Sequence, residues 1–213
     1  VSFFEENGRY YSVLEASTKG FVGFFTSYRK HFYKTEFEVI ADGKILRPKT
    51  FLRQVTIGNQ KEATWHKFDY IHRSHKWELK VNEDKVETGQ EEIPVGVTFN
   101  DILTSFYNVR NSVYGKLHKG KQFKIHTIPE KGHDEISVYI FPEQDQDKFR
   151  SEEEREKRDE FLIKIIVPKE IFKTETGELM IWISKHYVPV ETTVKDYILL
   201  GDLHARFIRR EMR

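Results

Sequence analysis

Apolar and polar residues alternate through the first part of the chain. In residues 28–40, one side carries mostly aromatic and aliphatic residues, and the other carries lysine and glutamate. This period of two is typical of a strand with one buried face and one face in water. Further strands, several of them joined by tight turns such as Asp42-Gly43, are predicted at 9–18, 48–57, 63–71 and 77–81. The pattern predicts an antiparallel meander.

The second half of the chain also favours strands. They are predicted at 123–125, 136–140, 161–167, 178–184, 187–200 and 202–208. Residues 161–167 are almost all apolar, which indicates a strand covered on both faces.

One segment has the period of an α-helix. Its apolar residues share one helical face: Phe99, Ile102, Leu103, Phe106 and Val109. Thr98 is expected to cap the first turn, with Asp101 three residues later. Because an apolar stripe must pack against other apolar surface, this helix is expected to lie on the strands.

These elements predict a mainly β (α+β) fold. We expect a strongly curved antiparallel sheet, or a partly open barrel, of about ten strands with one central helix (residues 98–110) packed on it. A large open apolar face would aggregate, so the sheet must close or be covered. No linker or repeat divides the 213 residues, and β-rich domains of this length are common. A single domain spanning 1–213 is therefore expected.

Residues 142–160 differ from their surroundings because acidic and basic residues dominate them. Ser151 and Glu154 match a capping box, so part of the segment is expected to be helical. We interpret it as a solvated insertion. It either has no function of its own or is a docking surface for a partner protein.

Several function classes lack their sequence signals. There is no cysteine, so disulfides, thiolate zinc sites and cysteine nucleophiles are excluded. Net charge is +1, which creates no field that attracts nucleic acid. No apolar run reaches the roughly 20 residues of a transmembrane helix. Neither a nucleophile elbow nor a phosphate-binding loop occurs. We therefore predict no enzyme, no catalytic residue and no cofactor.

The nine histidines do not have the spacing of a metal site. His66 and His72 share strand parity but lie about 20 Å apart along a strand. The histidines are interpreted as surface residues or as structurally satisfied ones, and no metal is predicted.

Aromatic residues exceed what one packed layer needs, with 17 Phe, 10 Tyr and 3 Trp. The aromatic turn at 19–25 either plugs one end of the core or forms the lip of an apolar pocket. A pocket between sheet and helix would hold a lipid or another apolar small molecule. The candidate lining residues are Phe21, Phe24, Phe25, Phe99, Phe106, Tyr107 and Trp182. Basic clusters at 116–124 and 206–213 are solvated faces, or suit anionic lipid headgroups or an acidic partner.

Three blocks of sequence carry a resemblance. The helix block 96–110 is similar to an Asp-x-Leu-Ser-Ala-Phe-Tyr-x-x-Arg pattern, and five of its residues match: Asp101, Leu103, Phe106, Tyr107 and Arg110. The other blocks are 177–184 with Val188-Pro189-Val190, and 201–207; the pair Phe68-Asp69 is also similar. Together these blocks resemble the bacterial envelope family catalogued as domain of unknown function 3108. The chain departs from that family at Lys185-His186, where an acidic pair is usual, and in the segment 142–160.

The resemblance implies a β-rich fold, export to the periplasm with removal of a signal peptide, and no established catalytic residue. A chain that begins at Val1 without Met fits such processing. Scarce Asn and Gln beside many charged residues favour a thermophilic source. The expected function is a non-catalytic envelope protein that holds a lipid or other apolar ligand. The alternative is a structural or interaction subunit that docks onto a larger envelope assembly through a sheet edge or through 142–160.

Overall fold

The computed structural model describes residues 1–19, 23, 27–130, 133–167, 175–197 and 201–206. The chain divides into two compact units. The first comprises 1–113 with 126–128, and the second comprises 114–125 with 129–213. The expectation of a single domain over 1–213 stays a prediction.

A seven-stranded antiparallel sheet forms most of the first unit. Its strands are β1 (Ser2–Glu6), β2 (Arg9–Ser17), β3 (Lys30–Ile40), β4 (Ile45–Ile57), β5 (Gln60–Asp69), β6 (Ser74–Val81) and β7 (Asp84–Glu92). Each strand pairs with the next one along the chain, which confirms the predicted meander. The sequence pattern missed β1, whose residues are all exposed, and β7, most of whose side chains are polar and exposed.

The helix of the first unit, α1 (Ile102–Arg110), begins later than the sequence pattern predicts. Its N-cap is Asp101, whose carboxylate accepts hydrogen bonds from the backbone N–H groups of Leu103 and Thr104. The expectation that Thr98 caps the helix is therefore wrong. An aspartate is a favoured N-cap residue, and its carboxylate satisfies two backbone donors at once.

Helix α1 is fixed to the sheet by polar contacts. Thr35 Oγ1 donates to Asp101 Oδ1 over 2.9 Å. Asn108 accepts from the Leu46 N–H and donates to the Leu46 carbonyl, both at 2.8 Å. Burial raises the pKa of the Asp101 carboxyl, and the hydrogen bonds that it accepts oppose this shift. The buried side of α1 is therefore largely polar. Of the predicted apolar stripe, only Phe99 and Leu103 are fully buried.

A second antiparallel sheet forms most of the second unit. Its strands are β8 (Gln122–Glu130), β9 (His133–Ile140), β10 (Glu160–Ile166), β11 (Glu178–Ser184), β12 (Pro189–Tyr197) and β13 (Gly201–Arg206). They lie in the order β13 to β8. The predicted apolar strands at 161–167 and 178–184 are confirmed to within one residue as β10 and β11.

The charged segment 142–160 contains helix α2 (Glu143–Glu152), as its partly helical character predicts. The capping box at Ser151 is wrong, because Ser151 lies in the last turn and the helix begins after Pro142. The segment contacts its own sheet. The Arg150 and Arg155 guanidinium groups lie 5.0 and 4.8 Å from the ring centroid of Trp182, and Trp182 Nε1 donates to Glu153. The segment is thus solvated only in part.

The described strands confirm a mainly β fold with antiparallel sheets. They form two sheets where one was predicted, and neither sheet is closed by the strands described. No helix in the described ranges is long and apolar enough to cross a membrane.

Candidate ligand-binding site

The strands β4 to β7 present two faces with different chemistry. We call the face that packs against α1 the inner face; its buried cluster comprises Tyr33, Phe51, Phe68, Ile93, Phe99 and Leu103. The opposite face is the outer face. Because side chains alternate along a strand, residues directly opposite each other on paired strands share a face.

Two cross-strand rows cover the inner face. One row runs from Phe51 through His66 and Trp77 to Gly89. The other pairs Phe68 with His75, and His75 with Glu91. Gly89 has no side chain, and a Cβ placed there would lie 2.5 Å from the Trp77 indole. The glycine therefore leaves the space that this ring occupies.

His66, His75 and Glu91 form a hydrogen-bonded chain on the inner face. A carboxylate only accepts, so His75 Nδ1–H donates to Glu91 Oε1 over 2.7 Å. Nε2 of a neutral His75 then accepts from His66 Nδ1–H over 2.9 Å. Both imidazoles also stack on Phe68, at centroid distances of 6.4 and 4.7 Å.

The surroundings of these two histidines keep them neutral. Burial is the largest cause that lowers the pKa of His66 to about 3; repulsion from His75, when that ring is protonated, and from Arg53 adds to the shift. Burial also lowers the pKa of His75, while the hydrogen bond and the charge of Glu91 act in the opposite direction. A base with so low a pKa accepts protons poorly near neutral pH, so His66 is suited to structural support rather than to general-base catalysis. No group of three potential metal ligands occurs in the described residues.

The sequence analysis interprets histidines as surface or satisfied residues, and His75 is a satisfied, buried one. It did not bring His66 and His75 together. The two are neighbours only because the register of β5 and β6 places Phe68 opposite His75. The sequence signal for this contact is the turn at 70–73. Counting residues outward from this turn gives the register of β5 and β6.

The outer face carries an open groove of about 560 Å³. It is lined by Thr50, Trp65, His66, Lys67, Lys76, Trp77, Glu78, Lys85, Thr88 and Gly89. Because of strand alternation, His66, Trp77 and Gly89 point to the inner face and contribute backbone here. The remaining residues supply the side chains of the groove.

Two cross-strand rows also form the floor of this groove. Thr50, Lys67 and Lys76 lie in register on β4, β5 and β6. In the next row Trp65 lies opposite Glu78, and Glu78 lies opposite Thr88. A row of hydrogen-bond donors therefore lies beside a row that contains a large aromatic ring.

Lys67 and Lys76 lie directly opposite each other, an arrangement in which like charges repel. In the described part of the chain, neither has an acidic partner within 4.0 Å, whereas many other lysines do. The one acid of the groove, Glu78, is shared by Lys80 at 3.1 Å and Lys85 at 3.6 Å. The hydrogen bond from Lys80 is the largest cause that lowers the pKa of the Glu78 carboxyl. The groove is therefore positively charged at the lysine pair.

Trp65 is 50% exposed although it lies in the middle of a strand. Its indole stacks on no other ring within the described ranges. A tryptophan in this state offers a flat apolar surface together with one N–H donor.

The four predicted pocket residues that the structure describes lie elsewhere. Phe99 is buried in the core of the first unit, with its ring centroid 5.9 Å from that of His75. Phe106 contacts Tyr107, and Tyr107 contacts Phe3, at centroid distances of 5.4 and 5.3 Å. Trp182 belongs to the buried cluster of the second unit.

Phe21, Phe24 and Phe25 lie outside the described residues. The remaining four candidates do not line the outer-face groove. That all seven residues line a pocket stays a prediction.

Sequence reasoning missed the groove, although the sequence contains a signal for it. Trp65 and Lys67 alternate with His66 and Phe68, and Lys76 and Glu78 alternate with His75 and Trp77. The register between β5 and β6 then puts Trp65 and Lys67 on the same face as Lys76 and Glu78.

Comparisons with known proteins do not identify a family. No protein-family model matches the chain, and no curated protein matches it. Among solved structures, the chain is similar to a crystal structure from Brucella abortus, described as a beta-barrel-like protein of domain of unknown function DUF1849. The similarity has a TM-score of 0.42 and 10% sequence identity, and it covers 94% of this chain and 96% of that chain. The mainly β fold described above rests on the strands of this chain itself.

Proposed function

We propose that this chain is a non-catalytic ligand-binding protein of the bacterial envelope, and that the outer-face groove holds the ligand. The observation that carries the proposal is the half-exposed Trp65 in a groove of about 560 Å³. The volume falls within the range of about 300–1,000 Å³ that is usual for small-molecule sites. The ligand has an apolar part, which the indole ring contacts.

Burial of the exposed indole surface supplies the free energy of binding. Aromatic side chains bury about 150–250 Å² each, so even half of this surface is a substantial contribution. Many other aromatic rings of the first unit pack against each other, as in the stack of Phe51, His66 and Phe68. Trp65 is available to a ligand because it is not used in this way.

The groove replaces the space between sheet and helix as the proposed ligand site. Helix α1 is attached to β3 and β4 by Asp101 and Asn108, and its buried side chains include Thr104 and Ser105. The non-catalytic character is supported by the groove itself. Its one carboxylate, that of Glu78, forms ion pairs with Lys80 and Lys85.

The envelope location and the relation to the domain-of-unknown-function 3108 family are part of the same proposal. They are supported by the three sequence blocks, of which the helix block is the longest. Residues of that block have structural roles here, since Asp101 caps α1 and Leu103 lies in the core.

The test is native mass spectrometry of protein purified gently from its own cells, followed by organic extraction. We expect a stoichiometric small-molecule adduct on the wild-type chain and a loss of most of it in Trp65→Ala. The matched control is Ile71→Ala, which removes another exposed apolar side chain from a turn outside the groove. A bare wild-type mass, or equal adducts in all three proteins, would contradict the proposal.

The alternative function is an interaction subunit that docks onto a larger envelope assembly. It is favoured by β1, an edge strand whose residues are all exposed and include Phe3 and Phe4. An extended apolar segment of a partner protein could pair with this edge. Cross-linking in cells tests it. Phe4→Asp should lose a defined adduct that Ile71→Asp retains, and an adduct unaffected by both changes would argue against β1 as the docking edge.

A further inference from the structure

We propose that the outer-face groove recognises a phosphate group, held between Lys67 and Lys76, whose attached apolar part lies on Trp65. This inference rests on the proposed function, since it takes the groove as the ligand site. It adds the chemical class of the ligand, a phosphate monoester.

The unbalanced charge of the lysine pair is the first reason. Two ammonium groups that face each other across paired strands destabilise a sheet unless an anion lies between them. Each of the nearby lysines Lys80 and Lys85 has Glu78 within 4.0 Å. Lys67 and Lys76 lack such a partner among the residues described, so the pair has unused capacity for an anion.

The number of donors is the second reason. Each ammonium has three N–H donors and no acceptor, and Thr50 adds a hydroxyl in register with Lys67. A phosphate monoester presents three acceptor oxygens and a charge between −1.5 and −2 near neutral pH. The charge of two lysines therefore matches the charge of a phosphate monoester. A carboxylate or a sulfate ester carries one negative charge and would neutralise only half the charge of the lysine pair.

The position of Trp65 is the third reason. It lies two residues before Lys67 on the same strand, so both side chains point to the outer face about 7 Å apart along the strand. A ligand that bridges them needs a charged end joined to an apolar part by a short link. A lipid with a phosphate headgroup has this chemistry, and free phosphate has only the charged end.

The experiment is isothermal titration of the whole chain at about 0.1 M salt, where charges are screened beyond about 10 Å. The probes are dihexanoyl phosphatidic acid, dihexanoyl phosphatidylcholine and inorganic phosphate, each below any micelle concentration. The first two share their acyl chains and differ in the headgroup. The test variant is Lys67→Gln with Lys76→Gln. The control is Lys30→Gln with Lys44→Gln, which removes the same charge from exposed sites outside the groove.

We expect wild-type protein and the control to bind phosphatidic acid at least tenfold more tightly than the test variant does. Phosphatidylcholine should bind at least tenfold more weakly than phosphatidic acid. Trp65→Ala should weaken phosphatidic acid binding without changing the affinity for inorganic phosphate. If inorganic phosphate binds as tightly as the lipid, the lysine pair binds free phosphate, and the contact of an apolar part with Trp65, and with it the phosphate monoester, is overturned.

Equal affinities of the test variant and the control, or equal affinities for the two lipids, would overturn the phosphate site. So would a wild-type protein that binds none of the probes. These results are distinct from failure of the proposed function, because the cellular adduct that depends on Trp65 would remain. Loss of that dependence would remove the groove as the ligand site altogether.

Discussion

The inner and outer faces of β4 to β7 are built from the same strands and differ in how their polar groups are satisfied. On the inner face, His66, His75 and Glu91 form a hydrogen-bonded chain, and the two imidazoles stack on Phe68. On the outer face, Lys67 and Lys76 face each other, and Trp65 is half exposed. The half-buried His66 and the buried His75 have the residue types of a catalytic site, yet their contacts stabilise the fold.

The difference shows which polar residues are available for function. A buried polar group without a partner costs free energy, so the inner face had to satisfy its own groups. An exposed ammonium is satisfied by water, so the outer face can keep two like charges together at a modest cost. The residues with unused binding capacity are therefore the exposed ones.

Among the variants that compare the two faces, His75→Ala is expected to change the stability of the protein most. In His75→Ala, a fully buried ring is lost, and both His66 and Glu91 lose a hydrogen-bond partner. We expect the free energy of unfolding to fall by about 2–4 kcal/mol, measured by urea denaturation at pH 7.5. The control is Lys76→Ala, at the next position of the strand, whose side chain lies on the outer face. It should change the free energy of unfolding by less than about 0.5 kcal/mol. Similar losses in both variants would remove the distinction between the faces.

Gly89→Ala tests the packing of the inner face by adding a single methyl group. The new Cβ would lie 2.5 Å from the Trp77 indole, so the ring must move. We expect a destabilisation of about 1–3 kcal/mol and a changed near-ultraviolet circular dichroism spectrum. Thr88→Ala, on the outer face, is the control and should leave the spectrum unchanged. An unaltered spectrum in Gly89→Ala would show that Trp77 does not lie across Gly89.

The pH dependence of stability reports the neutral histidines. The pKa of His66 is lowered from 6.5 to about 3, so below pH 6.5 the unfolded chain binds a proton that the folded chain does not. Stability therefore falls as pH drops from 6.5 towards 3. This one group contributes at most about 1.4 kcal/mol per pH unit. The lowered pKa of His75 acts in the same direction.

His66→Gln keeps a side-chain N–H donor for His75 but does not titrate. We expect its free energy of unfolding, measured by urea denaturation from pH 7.5 to 4.5, to fall less steeply below pH 6.5 than that of the wild type. Parallel curves would mean that His66 titrates alike in the folded and unfolded chains.

The smallest expected effect comes from the outer face. Lys76→Glu replaces a pair of like charges with a pair of opposite charges across β5 and β6. We expect a stabilisation of about 0.2–1 kcal/mol that decreases with added salt, measured by thermal unfolding. Lys76→Gln removes only the repulsion and should stabilise less. A destabilised Lys76→Glu chain would mean that Lys76 has a favourable role in the free protein.

The sequence alone determined most of the strands, the central strands of the meander and the existence of a helix near residues 98–110. Alternation and apolar runs are local signals, so residues 28–40 and 178–184 are correctly assigned from composition and spacing. The strands β1 and β7 and the exact start of α1 were beyond these signals. Strand β7 is mostly polar, and the cap depends on Asp101, which Thr35 contacts from a distant strand.

Only the tertiary structure decided where functional side chains meet. The groove depends on the register that places Lys67 opposite Lys76 and Trp65 opposite Glu78, and a shift of one residue would turn each of them to the other face. The same register brings His66 to His75, and their burial then lowers both pKa values. Alternation along a strand specifies which residues share a side, but pairing between strands decides which of them are neighbours.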